Sequence, residues 1–161
     1  MYSNIKSCGL HGIDGYVADV ETYISSGIPA FDIVGLGDTA IRESRERVRA
    51  AIKNSGYEFP IRRITMNLAP ADIKKEGSSF DLPIALGILA SSGKININMT
   101  EKTVFVGELS LDGKLKPVRG VLPMTVCAKK NGFENFVLPA ANADEASVVR
   151  GINIIPVENL K

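Results

Sequence analysis

The sequence predicts an α/β (α+β) fold with a mixed sheet and packed helices, and three observations carry that expectation. Residues alternate in polarity with period two through the first third of the chain. From Asp38 onward, helical and strand patterns take turns. Glycine- or proline-bearing turns separate the segments. At 161 residues the chain suits one domain, 1–161, burying about two-thirds of its unfolded surface. The net charge of +1 sets up no overall field for nucleic acid or membrane, so any basic surface must be local.

The elements follow in order. In "IDGYVADVETYIS", Val17, Asp19, Glu21 and Tyr23 share one face and Tyr16, Ala18, Val20 and Thr22 the other, a strand pattern. "NIKSCGL" and "AFDIVGL" are its expected partners, with "SSGIP" as a turn. A helix opens at Gly37-Asp38, with Asp38 as cap, and "NSG" at 54–56 ends it. Its apolar face is Ile41, Ser44, Val48, Ala51 and Ile52; its other face carries Arg42, Arg45, Arg49 and Lys53.

"RRITMNLAP" is a strand, followed by an irregular loop from Pro70 to Ser78 whose Lys74, Lys75 and Glu76 are expected at the surface. A second helix spans Phe80 to Ser92, capped by Ser79 or Asp81. Pro83 is tolerated in its first turn, and Gly93 stops it. "TVFVGELSLDGKLKPV" reads as a β-hairpin about Asp112-Gly113. A third helix runs from Gly120 to Lys130, "FENFVLP" is a strand, Asn142 caps a short helix, and "INIIPV" is the last strand. "VENLK" reads as the start of another element, which places a domain boundary near the end of the chain.

Several chemistries find no support. No apolar run approaches the roughly 18 residues of a membrane span, and the first residues lack an apolar signal region, so a cytoplasmic location is expected. Cys8 and Cys127 form no CxxC pair, His11 stands at no zinc spacing from them, and no metal site is expected. Cys127 reads as a small buried residue. No GxxxxGK[ST] occurs, and "GLG" at 35–37 reads as a strand-to-helix turn. Asp32, Asp72 and Asp81 read as turn or cap residues.

Two long blocks carry a resemblance. "FDIVGLGDTAIRESRERVRAAIKNSGYEFPIRRITMNLAPADIKKEGSSFDLPIALGILASSG" and "GELSLDGKLKPVRGVLP", with the later "VLPAANADEA", closely resemble the amino-terminal domain of the magnesium-chelatase-like YifB/ComM proteins. That resemblance implies an AAA+ ATPase module downstream, holding ATP and Mg²⁺, while this chain holds no cofactor. It also implies a ring-forming parent, a homo-hexamer that acts on DNA in processing such as branch migration during natural transformation. The domain also looks like the proteolytic domain of Lon, of the ribosomal protein S5 domain 2 type. Lon-type peptidases carry a serine in a glycine-rich segment at a helix start, then a "GE(I/L)-x-L-x-G-x-(V/L)-x-P-(I/V)-x-G" stretch leading to a helix with the partner lysine. "GELSLDGKLKPVRG", Gly107 to Gly120, resembles that stretch, and "EGSSFDL" puts Ser79 at the nucleophile position.

The position matching the Lon lysine is Met124. A serine hydroxyl needs an adjacent base, and a thioether accepts no proton, so assistance worth roughly 10²–10⁴-fold is absent. Phe80 and Asp81, where Lon has small residues, are expected to crowd an acyl substrate and oppose an oxyanion. Ser79 and Met124 are thus degenerate catalytic positions. The leading reading is a non-catalytic accessory domain serving DNA engagement or ring assembly. Its rivals are a Ser–Lys peptidase with a displaced lysine and a purely structural oligomerisation module. The candidate DNA contacts are Arg42, Arg45, Arg49, Arg62, Arg63 and Arg119. Helical pairs Glu43–Arg47, Glu46–Arg49 and Arg42–Glu46 are expected to neutralise part of the stripe, which otherwise reads as a solvated face.

Overall fold

A computed structural model describes residues 1–35, 37–98 and 100–161. Leu36, the middle of the expected "GLG" turn, lies outside the described residues. Strands β1 (Tyr2–His11) and β2 (Asp14–Ser25) form a long antiparallel pair with Ile5 opposite Val20. Successive side chains of a strand point to opposite faces, and both faces of this pair are used. Ile5, Ala18 and Val20 join the core that includes Ile84 and Ile88 of α2 (Asp81–Ser91). Cys8, Leu10 and Val17, of the other parity, pack with Met124 and Ala128 of α3 (Val121–Lys130).

β3 (Ala30–Val34), α1 (Thr39–Asn54) and β4 (Arg63–Ala69) make a crossover unit, with β3 parallel to β4. β2 therefore lies between β1 and β4, and β3 is an edge strand. This corrects the expected pairing of β3 with β2: a helical crossover delivers the next strand in parallel, whereas the β2 edge accepts β4 antiparallel. α1 has the expected face, since Ile41, Ser44, Val48, Ala51 and Ile52 are its buried residues, and Asp38 caps it by accepting from the Ile41 N–H at 2.9 Å.

The expected hairpin is shorter than its sequence pattern. β5 (Thr103–Phe105) enters the main sheet parallel to β1 and β8 (Asn135–Pro139), leaving only β6 (Glu108–Leu109) and β7 (Leu115–Lys116) as the hairpin arms. α4 (Ala143–Ala146) follows, and β9 (Asn153–Val157) closes the order β3-β4-β2-β1-β5-β8-β9. The residues after β9 pair with the hairpin: the Leu115 N–H donates to Glu158 O at 2.8 Å and the Leu160 N–H to Gly113 O at 2.9 Å. Asn142 holds the expected N-cap position of α4 but makes no side-chain cap bond there. It is buried, accepting from the Val118 N–H and donating to Val118 O, both at 2.9 Å, so its amide fastens the segment before α3. Among the described residues no helix is long and apolar enough to cross a membrane.

Candidate functional site

The loop before α2 builds one wall of a cleft of about 510 Å³. Asp38 ties that loop to α1: one carboxylate oxygen takes the Ile41 N–H of the helix and the other the Gly77 N–H of the loop at 3.1 Å. The Asp38 N–H in turn donates to Lys75 O at 3.1 Å. On the opposite side the Gly107 N–H donates to Ser79 O at 2.9 Å, and Ser78 Oγ donates to Glu108 Oε2. Ser79 is thereby fixed by backbone bonds at the junction of two elements.

Ser79 and Met124 both line this cleft, with Asp38, Glu76, Glu108 and Arg119. Met124 is 3% exposed, anchored in the core beneath α3. The hydrogen bonds among the described residues include none from a lysine to Ser79 Oγ. Lys75, on the same loop, directs its Nζ to Pro70 O instead. Lys75 is also wholly buried, correcting its expected exposure. Burial lowers its ammonium below the ordinary value, and Asp72 opposes that shift.

Phe80 and Asp81 do not line the cleft, so neither supplies the crowding or the charge expected from it beside the Ser79 hydroxyl. The first turn of α2 directs both inward: Phe80 into the core, Asp81 onto Arg47 of α1 at 2.7 Å. Neither Ser79 nor Asp81 caps α2, whose N-cap position is Phe80 without a side-chain bond. The negative groups of the cleft are Asp38, Glu76 and Glu108, none of which stood out as site residues in the sequence. Glu108 lies inside the "GELSLDG" match, the one signal available for it.

A second feature gathers the cations. Arg42 and Arg45 of α1 and Arg63 at the start of β4 line a hollow of about 430 Å³ with Asp32. Next to it along α1, Arg49 and Lys53 share a smaller hollow with Phe59 and Arg62. The Arg49 guanidinium lies 4.7 Å from the Phe59 ring centroid, and Arg45 Nη1 donates to Phe31 O at 3.2 Å, so two of these side chains are held in place. Five of the six expected arginines therefore form one surface. Arg119 is apart, in the cleft.

The pairing expected to neutralise the stripe is weaker than helical spacing implies. Among the described residues, Glu46 makes no ion pair with Arg42 or Arg49, and Arg63 meets Asp32 at 3.4 Å. Arg47 keeps a 3.8 Å contact with Glu43, but its main partner is Asp81, because the carboxylate lies buried on the side of α1 that faces α2.

Comparison with known proteins places these features in a family. The family model described as subunit ChlI of Mg-chelatase matches residues 20–142. Competence protein ComM of Haemophilus influenzae is 42% identical over 142 residues, covering 88% of this chain and 28% of ComM. YifB of Escherichia coli is 41% identical over 150 residues, covering 93% of this chain and 29% of YifB. Lon protease 2 of Bacillus subtilis is a more distant relative, 29% identical over 143 residues, with 84% of this chain and 25% of the protease covered. The chain thus spans less than a third of the length of these curated relatives. The matched segment contains the cleft loop, the cationic face of α1 and the Met124 helix, and the chain belongs to the ChlI family, the Mg-chelatase-like group with ComM and YifB among its relatives.

Proposed function

We propose that this chain is a non-catalytic accessory domain of a Mg-chelatase-like AAA+ ATPase, and that it engages DNA through the cationic face of α1. One observation supports this reading most: Arg42, Arg45, Arg49, Arg62 and Arg63 converge along α1 and the edge of the sheet, with Asp32 as the acidic group among the residues lining the two hollows. A strip of guanidinium groups held by packing suits a phosphate backbone, because arginine forks match phosphate oxygens and lose little freedom on binding. The name of the relative ComM, a competence protein, is in keeping with a DNA substrate.

ATP and Mg²⁺ belong, in this reading, to the rest of a longer protein. This sequence has no phosphate-loop motif, and among the described residues no group of three His, Cys, Asp or Glu could hold a metal ion. Assembly into a homo-hexameric ring and a cytoplasmic location are part of the same proposal. The cleft supports the non-catalytic half, since a methionine stands where the Lon resemblance calls for a base.

The test is salt-dependent binding of a fluorescent DNA duplex to the chain, followed by anisotropy. Removing charge at Arg42, Arg45 and Arg63 together is expected to weaken binding and to lower the salt slope by roughly 0.9 for each phosphate no longer neutralised. Arg119→Ala is expected to leave that slope as it is. An unchanged slope in the triple variant overturns the DNA reading, and ring formation without DNA binding favours a structural module.

A further inference from the structure

Cys8 and Cys127, far apart in sequence, meet in the fold. Cys8 lies fully buried on β1, packed against Met124 and Ala128, the α3 residues that flank Cys127, and Cys127 itself is half-buried beside it. The approach depends on Gly15 of β2. A Cβ built there would stand 2.8 Å from Cys127 Cβ, so only glycine lets α3 settle this close. Asn131 at the helix end donates Nδ2–H to Cys127 O at 2.8 Å and reaches Cys127 Sγ at 3.5 Å. Both cysteines are free.

We propose that Cys8 and Cys127 are a reversible oxidation site for hydrogen peroxide, closing to a disulfide that fastens β1 to α3. Cys127, the more accessible sulfur, is the attacking group. Its thiolate attacks one peroxide oxygen: an S–O bond forms, the O–O bond breaks, and hydroxide leaves, giving a sulfenic acid. The Cys8 sulfur then attacks Cys127 Sγ. The S–S bond forms, the S–O bond breaks, and the departing hydroxide takes the Cys8 proton as water. Two thiols are oxidised by two electrons, and one peroxide becomes two waters.

The surroundings divide the roles. The neighbouring Cys8 thiol first, then Asn131 and the nearby Lys130, lower Cys127 to about 7 against the burial that opposes them. The neighbouring Cys127 sulfur, with burial, pushes Cys8 far up, so Cys8 waits as the protonated resolving thiol. On this face of the sheet β2 presents Gly15 and Val17; Tyr16, of the opposite parity, packs on the other core, where burial raises its phenol to about 12 and keeps it neutral. Met124 stands one helical turn before Cys127, so the disulfide stiffens the helix that forms one wall of the cleft.

The chain is treated with hydrogen peroxide under native conditions, remaining thiols are blocked with N-ethylmaleimide, and the protein is digested without reductant for mass spectrometry. The expected product is a Cys8–Cys127 linked peptide lacking two hydrogens, released by dithiothreitol. Cys8→Ser is expected to accumulate Cys127 sulfenic acid, trapped by dimedone, and the native Cys127→Ser chain is expected to leave Cys8 unmodified. The rate in the unaltered chain should rise about tenfold between pH 6 and pH 8, following the thiolate fraction. This last readout needs no variant, and so stands if a serine variant fails to fold. Sulfinic acid at Cys127 without a Cys8 link, or links only between chains, overturns the proposal.

Discussion

Arg47 Nε donates to Asp81 Oδ2 at 2.7 Å, joining the middle of α1 to the first turn of α2. The carboxylate is fully buried, and it also takes the Ser44 hydroxyl and, at 3.0 Å, the N–H of Leu109 on the hairpin. One side chain therefore ties two helices and the hairpin together, directly behind the loop that carries Ser79. Burial pushes the Asp81 carboxyl above the ordinary range, and the bonds from Arg47, Ser44 and Leu109 recover only part of that shift.

Arg47→Ala is expected to cost roughly 3–5 kcal/mol in denaturant unfolding near neutral pH, because it strands a buried charge. The sign of the pH effect follows from the raised carboxyl. Charge on Asp81 is a burden above its folded pKa and disappears below it, so the loss in Arg47→Ala should shrink as pH falls through that value. Asp81→Asn should cost less, since an amide oxygen still accepts from the Leu109 N–H and Arg47, partly exposed, can reach water. Equal losses for the two variants at all pH values would contradict this account.

Helical elements were legible in the chain because their signal is local: the apolar face of α1 repeats every three or four residues, and Asp38 stands directly before it. Strand order was less so. Nothing within β3 says that β4 will separate it from β2, because pairing is decided by the crossover and by the whole sheet. Asp81 read as a cap from its place at a helix start, yet its partners Arg47 and Leu109 lie 34 and 28 residues away. The shared cleft of Ser79 and Met124 was visible only through resemblance. The convergence of Arg62 and Arg63 with the α1 stripe needed the fold.

Lys75 offers a second pH test. Its folded pKa lies below the ordinary 10.5, so between those two values the unfolded chain binds more protons than the folded one, and stability from this group rises with pH. Lys75→Met keeps the buried stem but removes the titration. The stability of the variant relative to the parent, measured by urea unfolding at stepped alkaline pH, should fall across that window. A constant difference would mean that Lys75 titrates alike in both states.

Ser79 and Met124 give the sharpest test of the inert cleft. Ser79 Oγ has no hydrogen bond among the described residues, so Ser79→Ala should change stability by no more than about 0.5 kcal/mol. An alkyl fluorophosphonate should fail to label the unaltered chain, since nothing in the cleft prepares the hydroxyl to attack. Met124→Lys brings an amine to a site only 3% exposed, where desolvation favours the neutral, proton-accepting form. If the missing base is the whole deficit, labelling should rise in that variant, by up to the roughly 10²–10⁴-fold that general-base assistance supplies, and vanish again in Met124→Lys/Ser79→Ala. Labelling of the unaltered chain at Ser79 would show that another group already serves as base, and the non-catalytic reading would fall.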